Sequence, residues 1–383
     1  MNILYLAYTA LENDGRTKEL LDVMKKIGNV TLISCVRAET YEVKGLEKHF
    51  KLTLDSNNQI LNSRTYLKFI KLAFTAIREQ KNIDILFLDN FFVSPIGFWI
   101  LITRKPKFVI LDSRELYTIK ERKGFLKKTF AFFEQIMIKK ADVVIAANEF
   151  RAQFMKTHYK LKEKPLVFEN IRKIDCENII EIVQKKYFEI INKANGKTKI
   201  LSTGGYDVER GTDKLVRAMK QLDNFFLFVV GGGPEKDEQI LKGIVENENI
   251  RNVCFIDEKL LPEELAYFIK ACDIGVVNYH SKDLNNKFCA SGKIYEFLFC
   301  GKPVITTENP PLVEMCQKYG IGEADDNFVD GLLKIAKNYK SYVQNVIDYV
   351  KHLSVEENNR KLAETLKHSI DFKLSTKVKK LTE

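Results

Sequence analysis

The sequence predicts an α/β protein built as two doubly wound domains, and three observations carry that prediction. Short apolar runs alternate with helical stretches through the first half of the chain. The alternation breaks into a charged helical connector at 174–193 and reopens at Asn195-Gly196-Lys197. A length of 383 residues exceeds one average domain and suits two, each able to bury its own core. The expected organisation is a first domain over 1–170, a connector over 171–197 and a second domain over 198–354. Helices over 355–383 are expected to return to the first domain, and a cleft is expected between the two.

In the first half the strand-like runs are 3–7, 30–35, 83–89, 108–112 and 143–147, separated by helical stretches near 16–27, 64–80, 93–103, 124–140 and 148–158. Such alternation gives a parallel sheet covered by helices, with ligands at the carboxyl ends of the strands. The loops after the runs therefore matter most. Asn13-Asp14-Gly15-Arg16 opens one helix; Leu111-Asp112-Ser113-Arg114-Glu115-Leu116 follows a strand; Asn148 in Ala147-Asn148-Glu149 reads structurally as a helix N-cap.

Hydrophobic content of 45% with 29% charged residues describes a globular rather than a disordered chain. Lys+Arg at 61 against Asp+Glu at 51 leaves a net charge of +10, which favours anionic partners. Nucleic acid is not expected among them, because the basic residues fall in no recognisable reader module. The basic and aromatic stretch 120–140 instead reads as an amphipathic helix suited to an anionic membrane surface. Phe125, Leu126, Phe130, Phe133, Ile136 and Met137 are expected on one face, with Lys127, Lys128, Lys139 and Lys140 around it. A core-facing helix with a solvated basic rim is the structural alternative.

The seven cysteines show neither Cys-x-x-Cys nor a partnering His spacing, so no disulfide framework and no zinc site is expected, and a reducing compartment is. The N-terminus reads as a first buried strand rather than a signal peptide. The longest apolar run, 91–103, falls short of the about 20 residues that cross a bilayer. The expected location is cytoplasmic, with peripheral attachment to the inner face of the plasma membrane.

The second half opens with a strand and a Gly-rich loop, Ile200-Leu201-Ser202-Thr203-Gly204-Gly205, leading to Arg210-Gly211 at a helix start. Phe228-Val229-Val230-Gly231-Gly232-Gly233-Pro234 repeats the strand-and-turn pattern, and Phe255-Ile256-Asp257 ends a further strand. The working centre is placed at Ala290–Ile305. Ser291 is a plausible N-cap, Gly301 and Pro303 stop the helix, and Ile294, Phe297 and Leu298 recur at i, i+3, i+4 as its apolar face. Lys293 and Glu296 then lie on a flank that can face a ligand. The opening offers unpaired N–H groups and a positive dipole end, with Gly292 allowing close approach and Lys293 adding charge: a phosphate site with a carboxylate behind it.

Ser-Gly-Lys-Ile-Tyr-Glu-Phe-Leu followed by Cys-Gly-Lys-Pro-Val-Ile resembles the second-domain signature of GT-B glycosyltransferases, in the large retaining family that builds bacterial polysaccharides and glycolipids. The strand, loop and helix series from Ile200 is similar to the family's donor domain, giving four ordered matches over about 110 residues. The resemblance implies a GT-B fold of two Rossmann-like domains. It implies a nucleotide-sugar donor, a glycan or lipid-linked acceptor, and no metal or other cofactor. Glu296 would then bond the donor ribose, Gly204, Gly205, Arg210, Ser291, Gly292 and Lys293 would meet sugar and diphosphate, and Phe255, Ile256 and Asp257 would receive the base on their backbone. Arg210, Lys293 and Arg114 are the expected catalytic residues.

The chain departs from the family at three places. Phe288 stands where a first glutamate is common, Gly205 where an arginine meets the diphosphate, and Arg114 where a histidine is common. Lys293 can reach the same phosphate as the missing arginine. Two alternatives stay open on sequence alone: a sugar-nucleotide epimerase of related architecture, and a non-catalytic partner subunit that keeps the fold.

Overall fold

The computed structural model describes residues 1–55, 60, 62–178 and 181–382. The chain forms two compact units, Met1–Asn170 with Ser354–Glu383, and Ile171–Leu353.

The first unit holds seven parallel strands: β1 (Asn2–Ala10), β2 (Asn29–Val36), β3 (Lys48–Thr53), β4 (Ile85–Asp89), β5 (Phe108–Ser113), β6 (Val143–Ala146) and β7 (Leu166–Val167), in the order β3-β2-β1-β4-β5-β6-β7. Tyr5 pairs in register with Leu32 on one side and Phe87 on the other, so β1 is the central strand from which the order winds both ways. The inner strands are buried along their length, which is why they read as continuous apolar runs. One core unites Ile3, Tyr5, Val30 and Ile85 with Leu20, Leu21 and Met24 of helix Gly15–Lys25. The same core takes in Leu362, Leu366 and Ile370 of helix Val355–Thr382.

The basic helix divides its apolar residues between two directions. Helix Phe125–Lys140 buries Phe130, Ala131, Glu134, Met137 and Ile138, whereas Phe125 is 88% exposed and Leu126 57% exposed. The single face expected for Phe125, Leu126, Phe130, Phe133, Ile136 and Met137 is therefore corrected. The inward stripe anchors the helix, and its first turn projects Phe125 and Leu126 beside exposed Lys123, Lys127 and Lys128.

The second unit repeats the plan with six parallel strands: β8 (Thr198–Ser202), β9 (Phe225–Val230), β10 (Val253–Ile256), β11 (Ile274–Val277), β12 (Val304–Thr306) and β13 (Gly322–Ala324), ordered β10-β9-β8-β11-β12-β13. The order reverses between β8 and β11, so the loops after these two strands flank the crevice where doubly wound sheets take ligands. Helix Glu181–Asn192, within the expected connector, buries Val183, Tyr187 and Ile191 in this unit's core, an i, i+4, i+8 stripe.

Cys176 and Cys300 are joined as a disulfide, with Cα atoms 5.9 Å apart. The expectation of no disulfide framework did not foresee this bond, since a separation of 124 residues leaves no local spacing to read. Among the described residues no helix is long and apolar enough to cross a membrane, and no group of three or more His, Cys, Asp or Glu is placed to hold a metal ion.

Candidate functional site

Helix Gly292–Phe299 follows a short turn capped by Asp283, whose Oδ1 accepts from the Asn286 N–H at 2.8 Å. Gly301, at φ +70°, and Pro303 end it. Ile294, Phe297 and Leu298 are buried as the apolar face. Phe297 packs against β11 where Gly275 leaves room; a Cβ at 275 would fall well inside 3.0 Å of the ring. This contact fixes the roll of the helix and leaves Lys293 and Glu296 on its flank.

Ser291 occupies the N-cap position, but its side chain makes no capping bond. Its buried Oγ has no partner among the described residues, nor have the buried Ser202 Oγ and Thr203 Oγ1 at the end of β8. Buried hydroxyls are ordinarily satisfied, so the orphans at Ser291, directly before the helix, and at Ser202, 4.0 Å from where a Gly204 Cβ would stand, mark a place built for something more.

The charges around them are mostly positive. A Cβ at Gly204 would stand 3.5 Å from Lys293 Nζ and 3.5 Å from Asn278 Oδ1, so the bare backbone of Gly204 lines the same space. Arg210 bonds Asp207 at 3.2 Å and lies over the Tyr279 ring at 5.1 Å. Its carbonyl accepts from Asn278 Nδ2 at 3.2 Å, which ties the loop after β8 to the end of β11. Arg172 approaches Glu296 Oε1 at 3.7 Å. Burial, with Arg210 and Arg172 nearby, lowers the Lys293 ammonium to about 8 despite Glu296. Burial raises the Glu296 carboxyl in spite of Arg172 and Lys293. An ammonium whose charge is disfavoured by burial and by two arginines gains from an incoming anion.

The Gly-rich turn 231–233 has a structural role. Tyr206 N–H donates to Gly232 O at 2.7 Å and Gly205 N–H to Val230 O at 3.0 Å, locking the loops after β8 and β9 together. Gly205 has φ +75°, and a Cβ there would collide with the Gly232 carbonyl, so the fold excludes an arginine at 205. Beside this turn, Phe255 meets Tyr206 edge-on at 5.3 Å, and the Tyr206 hydroxyl donates to Asp257. The strand end 255–257, with Ile256, thus borders the same loops from the β10 side.

In the first unit Arg114 is committed to carboxylates. Its guanidinium donates to Asp14 at 2.6 Å, to Thr17 Oγ1 at 2.7 Å and to Asp89, with Asp112 at 3.6 Å. Arg16 grips Asp112 with two bonds, 2.9 and 2.7 Å, and donates to the Phe168 carbonyl at 2.6 Å. Burial would raise the Asp14 carboxyl, but Arg114 and the Thr17 N–H outweigh it and hold it at about 2. Burial pushes Asp89 up to about 6 against the pull of Arg114. The expectation that Arg114 acts directly as a catalytic cation thus meets a guanidinium already engaged by the opening of helix Gly15–Lys25 and by the ends of β4 and β5. That placement makes it an organiser of the strand ends. Asn148 caps its helix by accepting from the Arg151 N–H at 2.9 Å.

Sequence reading placed Gly204, Arg210, Ser291, Gly292, Lys293 and Glu296 around one centre, and the second unit brings them together. Arg172, Asn278 and Ser202 stand beside them and were not among the expected site residues. Ser202 ends β8 and Asn278 follows β11, where the strand-end rule looks; Arg172 lies about 120 residues before the helix it touches and carries no local signal.

Two doubly wound parallel sheets of this order define the GT-B class of two-domain α/β proteins. Residues 183–367 match the family of Glycosyl transferases group 1. That match covers just under half of the chain, running through most of the second unit and into helix Val355–Thr382. An uncharacterized 41.2 kDa protein in the cps region of Klebsiella pneumoniae is 23% identical over 274 residues, covering 70% of this chain and 72% of the relative. Among solved structures, Anabaena Alr3699/HepE in complex with UDP and glucose superposes with a TM-score of 0.70 at 15% identity, over 96% of this chain and 99% of that one. Sucrose-phosphate synthase from Thermosynechococcus elongatus gives 0.68 at 15% identity, over 100% and 99%. WaaG, a glycosyltransferase involved in lipopolysaccharide biosynthesis, gives 0.63 at 15% identity, over 95% and 99%. These likenesses establish the fold.

Proposed function

We propose that this glycosyltransferase moves a sugar from a uridine-diphosphate donor to a glycan or lipid-linked acceptor in cell-surface polysaccharide synthesis, with retention of configuration and without need of a metal. The observation that carries the reading is the gathering of Lys293, Arg210 and the opening of helix Gly292–Phe299 around buried hydroxyls that have no protein partner. A diphosphate supplies what that space lacks: acceptor oxygens for Ser202 and Ser291, and negative charge beside the cations. As the glycosidic bond breaks, charge grows on the leaving phosphate, and Lys293 and Arg210 stabilise it most at that moment. The leaving phosphate takes the acceptor proton, so no nucleophilic carboxylate is required.

In this reading the second unit binds the donor, with Glu296 on the ribose and the backbone of Phe255, Ile256 and Asp257 at the base. The first unit receives the acceptor, and Arg114 positions its strand ends. The choice of UDP is supported by the HepE complexes with UDP and with UDP-glucose. The choice of pathway is supported by the cps-region relative and by the lipopolysaccharide enzyme WaaG. Phe125, Leu126 and the surrounding lysines suit an anionic bilayer, where a lipid-linked acceptor would lie.

Titration calorimetry with UDP-, GDP- and ADP-sugars tests the donor assignment. Binding of a UDP-sugar with weaker binding of the others is expected. A chain that binds none of them would fit the rival reading, a partner subunit that has kept the fold without the chemistry.

A further inference from the structure

The cations around Gly292 do not all come from the loops that open the second unit. Arg172 comes from the segment 171–176, which lies along helix Gly292–Phe299 within this unit. At one end the Arg172 stem crosses Gly292 so closely that a Cβ at 292 would lie 2.5 Å from its Cδ and Nε. Further along, Lys173 Nζ stands 5.9 Å from the Phe299 ring centroid, and Cys176 is bonded to Cys300 just past the helix end. Ile171 and Ile174 pack against the unit's core. The segment is therefore held at both ends of the helix, and it presents one guanidinium at the opening.

That guanidinium has capacity to spare. Among the described residues its ion-pair partner is Glu296, at 3.7 Å, and its side chain is 47% exposed. A guanidinium carries five N–H donors in a planar fork that matches phosphate oxygens two at a time. Position 205, meanwhile, can carry no side chain against the Gly232 carbonyl. The unpartnered Ser291 hydroxyl, buried directly before Gly292, points independently to an oxygen-rich ligand at this opening.

We propose that Arg172 is a second phosphate-gripping guanidinium of this site beside Arg210, delivered by the disulfide-held segment 171–176 in place of a side chain that the glycine at 205 cannot provide. The inference rests on the donor-binding reading above and adds to it a residue from outside the strand-end loops. On ligand binding the fork leaves its long contact to Glu296 and closes on phosphate oxygen, which frees the carboxylate for the donor's hydroxyl groups.

Calorimetry with UDP, UMP, uridine and inorganic pyrophosphate on the wild type, Arg172→Ala and Arg172→Lys tests this. Arg172→Ala is expected to weaken UDP at least tenfold and pyrophosphate in parallel, while leaving uridine unchanged; Arg172→Lys should recover part of the loss. An unchanged melting temperature and an intact disulfide by mass spectrometry in both variants separate ligand contact from folding. If the wild type binds UDP and Arg172→Ala binds it equally or more tightly, the assignment of Arg172 is overturned while the donor site stands. If the wild type binds neither UDP nor pyrophosphate, the donor-site reading falls and this one with it.

Discussion

Replacing Lys293 with methionine should make the protein more stable and a worse binder, and the structure sets the size of both effects. The ammonium sits at about 8 in the fold against 10.5 in an unfolded chain, first because of burial and then because of Arg210 and Arg172. At about 1.4 kcal/mol per pKa unit, and allowing for the partial exposure of the side chain, holding that proton costs about 2–3 kcal/mol. Between pH 8 and 10.5 the unfolded chain binds more protons here than the folded one, so wild-type stability receives a rising contribution from this group across that window. Methionine keeps the stem and removes the charge. Below pH 8 the variant should melt higher by roughly 3–8 °C, and the rising contribution should vanish. Loss of one charged partner should weaken UDP by about 1.5–3 kcal/mol, or roughly 10- to 150-fold. In the wild type, UDP affinity should hold below pH 8 and fall above it, as Lys293 loses its proton; in the variant that fall should be absent. Scanning calorimetry and UDP titrations from pH 6.5 to about 9.5 measure all of this. A variant that is less stable than the wild type, or that keeps both UDP affinity and its pH dependence, would refute the placement of Lys293 beside the anion.

Three further outcomes are expected. Arg210→Ala should remove most turnover and Arg210→Lys only part, because charge survives in lysine while the planar fork does not; steady-state kinetics should place the loss mainly in kcat. Burial raises the Glu134 carboxyl to about 8 against the lowering effect of the Ser113 hydroxyl, so the fold favours its neutral form. Its stabilising contribution is complete below about 4.5 and is lost as pH rises through 8, so Glu134→Gln should remove a decline in stability on the order of 3 kcal/mol between pH 5 and 9 in urea titrations. Phe125→Ser combined with Leu126→Ser should release the protein from phosphatidylglycerol vesicles in sedimentation assays without changing its melting temperature, as added salt should do for the wild type; equal binding by both forms would argue against this tip as the membrane contact.

The parallel sheets were legible in the sequence because their strands are buried on both faces and read as apolar runs between helical stretches. Strand β3 was not, since Lys48–Thr53 is a half-exposed edge with two lysines, and β13 is only three residues long. Helix Gly292–Phe299 could be read to its ends because Ser291, Gly301 and Pro303 are local signals. What surrounds its opening is long-range and was read only in part. Ser291 was expected to cap the helix, and instead its hydroxyl lies buried without a bond. Arg172 and the Cys176–Cys300 bond depend on how a segment 120 residues away lies along the helix, which no local pattern encodes. The helix Phe125–Lys140 shows a third kind of gap: periodicity identified apolar positions, but only packing decides that Phe130 turns inward and Phe125 outward.

The most direct test of the central claim is to follow UDP-sugars with the purified protein by proton NMR, first without and then with candidate glycan acceptors. The account predicts release of UDP, with the first-formed product carrying the donor's own anomeric configuration, at a rate that collapses in Arg210→Ala. Release of no nucleoside diphosphate from any donor, or conversion of the sugar to an epimer without transfer, would contradict it.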